Sequence, residues 1–385
     1  VAMGLSAATT AIVARRIGEK DADGAGITAF QAILTGFSIS LVLSLAGLIF
    51  ARPIMRLMGA DEAMIHDFGG YAVIMLGSNT VIMLLFVINA VFRSAGDAII
   101  AMKVLFVGNL LNIILDPVLI FGLGPIPAMG IEGAAVATVL GRGIAIVYQL
   151  FILLRGSGRV KIVLKHCHLR FDIIGSLLKL SVGGTVQTLV ATTSWIVLMR
   201  VVSMFGSSAL AGYTIALRII VFVLLPSFGI SNAAATLVGQ NLGAKQPQRA
   251  EKSVWITGNL NLAFLALAGS VLVLFPGYFI SFFINDADVI ASGSQALRIV
   301  SYGFLAYGYG MVLVNSFNGA GDTFTPTKIN VISYYLLEIP LAYFLAIYLG
   351  MNEQGVFWAI VCSESVMTLL AFYFFRQGKW KLMKV

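Results

Sequence analysis

Asn112 and Asp116 stand four residues apart inside the apolar stretch 99–122, so on a helix both side chains leave the same face. Pro117 follows directly; it removes one helix hydrogen bond and frees carbonyl oxygen nearby. Carboxylate, amide and carbonyl oxygens together suit a hard cation or a proton. An acid at such a position is costly and therefore a functional candidate, the other reading being a structural acid tied to backbone or to a neighbouring span. Glu338 and Glu364 are further acids inside apolar stretches; they mark a possible second polar site, with packing the favoured role. Arg142 is the nearby basic residue. If it faces the same cavity it pairs with Asp116, competes with a metal ion and biases the site toward H+ over Na+; otherwise it points outward or between helices. Uncharged amides in lipid would be unpaired, so Asn79, Asn89, Gln187 and Asn315 are substrate-cavity candidates. Tyr309 joins them as an aromatic face able to hold an organic cation, although aromatic stripes in such helices more often pack or face lipid. His166-Cys167-His168 reads as a solvated basic loop rather than a metal centre, since no second ligand pair stands nearby.

The elements that carry these residues are membrane spans. Of 385 residues 59% are hydrophobic and 11% charged, against about 25% charged in a soluble domain. A soluble chain so composed would expose large apolar patches. Apolar runs long enough to cross a bilayer occupy 24–50, 65–92, 99–122, 131–155, 173–201, 210–238, 252–275, 289–318, 326–349 and 355–375, and residues 1–14 look like the tail of another. The alternating segments of a β-barrel are absent. The expected class is all-α and polytopic.

The net charge of +8 is a matter of topology, not of nucleic acid. With the loops numbered alternately, one side collects groups such as Arg15 and Arg16, Arg155 to Arg170, Lys245 to Lys252, and Arg376 to Lys384, while the other holds only Arg52 and Arg56. Such asymmetry places the basic side in the cytoplasm. For a bacterial protein the membrane is the plasma (inner) one.

A shift of 225 residues aligns the chain with itself without a gap. Gly18 meets Gly243, Lys20 meets Lys245, Asp61 meets Asp286, Ala95-Gly96-Asp97 meets Ala320-Gly321-Asp322, and Gly130 meets Gly355. Corresponding loops on one side of the membrane make this a parallel repeat. The expected organisation is an N-terminal lobe over 1–155, a cytoplasmic interlobe loop over 156–172 and a C-terminal lobe over 173–385. The second copy starts near Asp172, so roughly fifty residues, a first helix and part of the next, are expected ahead of Val1. The intact protein would then have two six-helix lobes and twelve spans, of which about ten and a half are present. Under the same shift Ser363 takes the place of Thr138, and Glu338 falls one residue past the counterpart of Asn112. The two Ala-Gly-Asp turns are expected to shape tight connections, with Asp97 and Asp322 capping the helices that follow.

Val238-Gly-Gln-Asn-Leu-Gly-Ala-Lys-Gln-Pro-Gln-Arg-Ala250 and its partner Val13–Ala25 resemble the multidrug and toxic compound extrusion (MATE) family. Phe92-Arg-Ser-Ala-Gly-Asp97, Asn112-Ile-Ile-Leu-Asp-Pro-Val-Leu-Ile-Phe-Gly122, Gly130-Ile-Glu-Gly-Ala-Ala-Val-Ala-Thr138, Phe317-Asn-Gly-Ala-Gly-Asp322 and Ile339-Pro-Leu-Ala342 agree. The resemblance covers essentially the whole chain. It implies a secondary antiporter that exports organic, often cationic, compounds against H+ or Na+ by alternating access between two lobes. It also implies a cation site in which Thr138 joins Asn112 and Asp116, with a first-helix aspartate lying ahead of Val1; taken alone, Thr138 is a hydroxyl bonding within its helix. Some relatives carry acids in the first and fourth helices of the second lobe. Here those spans show Gln187, Thr188, Thr192 and Thr193, then Tyr302, Tyr307, Tyr309 and Asn315, which argues against a second coupling site there.

Other functions fit less well. A lipid-linked precursor flippase of a related fold is the alternative, but it favours a cationic groove and extra helices. No nucleophile motif or intramembrane His/Asp cluster suggests an enzyme, no phosphate loop is present, and no pore-loop filter suggests a channel. The expectation is a monomer that needs no cofactor besides the coupling ion, meets small organic substrates and membrane lipid, and binds no nucleic acid.

Overall fold

The computed structural model describes residues 1–156 and 158–383; Lys384, counted above with the basic side, lies outside them. The first elements are α1 (Ala2–Gly18), α2 (Ala22–Leu57), α3 (Glu62–Gly77), α4 (Asn79–Ala95), α5 (Ala98–Phe121), α6 (Gly130–Arg155) and α7 (Phe171–Ser203). They are followed by α8 (Ser207–Gly243), α9 (Pro247–Leu274), α10 (Pro276–Ser281), α11 (Ala287–Tyr302), α12 (Phe304–Ala320), α13 (Phe324–Asn330), α14 (Ile339–Tyr343) and α15 (Glu353–Arg376). Two π-helical stretches, Val331–Glu338 and Phe344–Tyr348, flank α14. Among the described residues nine helices are long and apolar enough to span a membrane, α3 and α4 counting as one and α13, α14 and the two π-helical stretches (Phe324–Tyr348) as another. The pair α11 and α12, bent by 56°, makes up to ten. The protein is a multi-pass, all-α membrane protein. Its many exposed Leu, Ile and Phe side chains, Ile49, Phe222, Leu267 and Leu274 among them, are what a lipid solvent requires.

By its contacts the chain divides into Val1–Lys179 and Leu180–Val385. Local structure recurs at the 225-residue interval. Asp61 caps α3 by accepting from Met64 N at 2.7 Å, and Asp286 caps α11 by accepting from Asp288 N and Val289 N at 3.0 Å. Helices break at Ser78 and at Gly303. Gly96 and Gly321 both close a helix at φ 88°, and Lys20 and Lys245 both adopt the left-handed region, at φ 61° and 58°. An L side chain enters that region at a cost. Its recurrence shows that the turn is fixed by the paired backbone bonds around it, Asp21 N to Arg16 O at 3.0 Å and Gln246 N to Asn241 O at 2.8 Å.

Within Val1–Lys179 the core gathers Val13, Ala29, Ile88, Val91, Phe92 and Leu153 from α1, α2, α4 and α6. The loop after α6 is clasped onto α2. His166 is buried and its Nε2 meets Asp23 Oδ1 at 3.0 Å. Lys165 Nζ donates to Asp23 Oδ2 at 2.7 Å, and Gln31 Nε2 donates to His168 O at 2.7 Å. A solvated basic loop is therefore the wrong description of His166, because Asp23 and the absence of a side chain at Gly26 give it a seat. Among the described residues no group of His, Cys, Asp and Glu could hold a metal ion. Asp97 also departs from expectation. It makes no side-chain cap to α5 and instead accepts from Arg159 N at 2.6 Å. Asp322 does cap, accepting from Thr325 N at 3.0 Å and Thr325 Oγ1 at 2.6 Å.

Candidate functional site

The helices α5 and α6 meet backbone to backbone. A Cβ on Gly141 would lie 2.8 Å from Gly108 O, and one on Gly133 would lie 2.5 Å from Leu119 O. This close approach sets Asn112 beside Thr138. Asn112 Nδ2 donates to Asp116 Oδ1 at 3.1 Å and faces Thr138 Oγ1 at 3.4 Å. All three side chains are half-buried. Among the described residues nothing donates to Asp116 Oδ2, and Asp116 has no ion-pair partner within 4.0 Å. One carboxylate oxygen is thus oriented by the amide while the other stays open to a proton or cation. Pro117, inside α5, leaves the carbonyl of Ile113 without its helix donor.

Arg142 does not pair with Asp116. It is half-buried and shares a narrow hollow with Thr138 and with Met75, Ser78 and Ile82 at the α3–α4 break. The expected competition between Arg142 and a metal ion for Asp116 therefore lacks its contact.

The amide candidates separate. Asn89 is 3% exposed and accepts from Gln149 Nε2 at 2.9 Å. Gln187 is 8% exposed; its Nε2 donates to Asn318 Oδ1 and Thr323 O, both at 3.1 Å. Each joins helices inside the packing and neither forms an open wall, because another amide satisfies a buried amide as well as water does. Asn315 Nδ2 donates to Ser231 Oγ at 3.2 Å and is half-buried. Tyr309 is half-buried and its hydroxyl donates to Asn259 Oδ1. Asn79, half-buried at the start of α4, has no side-chain partner among the described residues. The sequence reading missed a groove of about 640 Å³ on α5 and α6, lined by Met102, Lys103, Phe106, Val107, Ile144 and Tyr148. Its volume lies in the range of small-molecule sites. The i, i+4 spacing of Met102 with Phe106 and of Ile144 with Tyr148 is the signal that could have found it.

In Leu180–Val385, Glu338 is 1% exposed and accepts from Ser194 Oγ at 2.6 Å. Ser363 lies beside it, its hydroxyl donating to Ile360 O at 3.0 Å. Glu364 Oε1 accepts from Tyr334 OH at 3.2 Å. Glu364 Oε2 is buried with no hydrogen-bond partner.

The MatE family model matches residues 1–118 and 185–344. A probable multidrug resistance protein, YoeA of Bacillus subtilis, is 25% identical over 383 residues, 98% of this chain and 82% of the relative. A FAD transporter of Shewanella oneidensis is 27% identical over 385 residues, 97% of this chain and 82% of the relative. The crystal structure of a MATE protein in the straight conformation superposes with a TM-score of 0.92 at 23% identity, covering 100% of this chain and 85% of that one; this shows the shared fold. With matching segments in both halves of the chain and relatives named as transporters rather than enzymes, this protein belongs to the MatE family of multidrug and toxic compound extrusion transporters.

Proposed function

We propose that the protein is a secondary antiporter that exports organic, often cationic, compounds from the cytoplasm in exchange for H+ or Na+. Transport would proceed by alternating access between its two halves. The observation that carries this reading is the Asn112–Asp116–Thr138 cluster, a carboxylate with one oriented and one open oxygen in a membrane-spanning helix. In the proposed cycle Asp116 is the group whose occupant changes. Asn112 holds its rotamer through the Oδ1 bond, and Thr138 supplies a further oxygen. The groove along Phe106 and Tyr148 offers apolar and aromatic surface suited to an amphipathic cation. Lys103 at its wall supports a second substrate class, organic anions, as does the relative named a FAD transporter. The bacterial inner membrane, with the Lys- and Arg-rich loops on the cytoplasmic side, is the location the charge asymmetry supports.

The test is efflux of a fluorescent organic cation, and separately of a flavin nucleotide, from proteoliposomes under imposed H+ or Na+ gradients. Flux driven by one of the two ions is expected. No flux of either substrate with either ion would contradict the antiport reading.

A further inference from the structure

We propose that Glu338 and Glu364 form a second proton-binding site, within Leu180–Val385, that holds one exchangeable proton between them. The site is the counterpart of the first cluster, displaced by one residue. Thr138 plus 225 is Ser363, and Asn112 plus 225 is Leu337, yet it is Glu338 that lies beside Ser363. The segment Val331–Glu338 is π-helical, whereas the same stretch of α5 is a regular α-helix. The wider turns of a π-helix rotate the following side chain, and such turns concentrate at functional sites. The π segment thus brings Glu338 to the place in the second half that Asn112 holds in the first.

The chemistry of the cluster requires a proton. Glu364 Oε1 accepts from Tyr334 OH at 3.2 Å, and Tyr334 stands four residues before Glu338 on the same π segment, so the two carboxylates belong to one cluster. The titratable groups that face them are Tyr213 of α8, Tyr307 of α12 and Tyr334 of the π segment; Ser194 of α7 and Ser363 of α15 complete the cluster with neutral hydroxyls. Among the described residues none of the cations Arg200, Arg218, Arg298, Lys328 and Arg376 on the neighbouring helices comes within ion-pair distance of either carboxylate. Two like charges buried without a cation are not held together, so one of the pair keeps its proton. Glu364 Oε2 is buried with no donor to stabilise a negative charge, which makes Glu364 the member of the pair that keeps the proton. Glu364 as a whole retains partial exposure although its Oε2 is buried, and exchange of that proton is what the test below reads. Within the transport reading, on which this consequence alone rests, the second half carries one proton per cycle in addition to the occupant of Asp116.

The test uses the full-length chain purified in detergent, without substrate, so its outcome does not depend on whether transport occurs. Infrared difference spectra would be recorded on the Asp116→Asn protein, which removes the first-half acid, in water and in D2O at about pH 7. The proposal expects a protonated-carboxyl carbonyl band that shifts in D2O. The band should lose half its intensity or more in the added Glu364→Gln variant and disappear when Glu338→Gln is also present. A band that survives both substitutions, that is missing at about pH 7, or that fails to shift in D2O overturns it. If the triple variant does not insert, loss of at least half of the band in the Asp116→Asn, Glu364→Gln protein decides the matter, and an undiminished band there overturns the proposal.

Discussion

At Asp116 the decisive feature is asymmetry between the two carboxylate oxygens. Oδ1 is held by Asn112 at 3.1 Å, and Oδ2 has no donor among the described residues. Replacing Asn112 by Leu should leave the acid in place but unoriented. The expected result is a fall in gradient-driven flux of about tenfold, the equivalent of one lost hydrogen bond at roughly 1.4 kcal/mol, with unchanged membrane insertion. Initial rates in proteoliposomes check this. Arg142→Gln should leave coupling close to wild type, because Arg142 makes no ion pair with Asp116; loss of coupling in that variant would show that the two interact during the cycle. Residue placement was readable where a helix is regular. Asn112 and Asp116 share a face by simple i, i+4 spacing, whereas the placement of Glu338 beside Ser363 depends on π turns that no spacing rule anticipates. Asn89 and Gln187 were misread as cavity residues because their partners, Gln149 and Asn318, lie on other helices.

Among the elements, the α5–α6 contact matters most. Gly133 and Gly141 leave no room for a side chain between the two backbones, and Gly108 leaves little, so the separation of Asn112 from Thr138 is set by glycine rather than by a designed bond. Gly141→Ala should force α5 away from Gly108 O and Asn112. It should lower stability by about 1–3 kcal/mol, seen as a reduced thermal midpoint, and impair coupling although no polar group is altered. The clasp between the loop after α6 and α2 gives a second prediction. A Cβ at Gly26 would lie 2.5 Å from His166 Nδ1 and 2.6 Å from Lys161 O. Gly26→Ala should therefore release the loop and speed tryptic cleavage after Arg159 and Lys161, as measured by limited proteolysis. The spans themselves were legible, since length and apolarity define them and the ten sequence stretches coincide with the nine helices and one bent pair. The breaks at Ser78 and Gly303 were not, because neither position interrupts the hydropathy. Nor was the role of Asp97, whose partner Arg159 is brought to it only by the folded loop.

For the whole molecule, the 225-residue repeat explains why so much local structure recurs, from the left-handed lysines to the paired helix breaks. It also shows where the halves diverge. The first half keeps a regular helix and an accessible aspartate, and the second substitutes π turns and a buried glutamate pair. The central claim is that Asp116 links ion and substrate movement. The most direct measurement compares two modes of transport by Asp116→Asn protein in the same proteoliposomes: substrate accumulation driven by the coupling-ion gradient, and substrate exchange with no gradient. Accumulation should be lost while exchange continues, because the substituted side chain can no longer change its occupant but the substrate path is intact. Accumulation at the wild-type level in that variant would contradict the assignment.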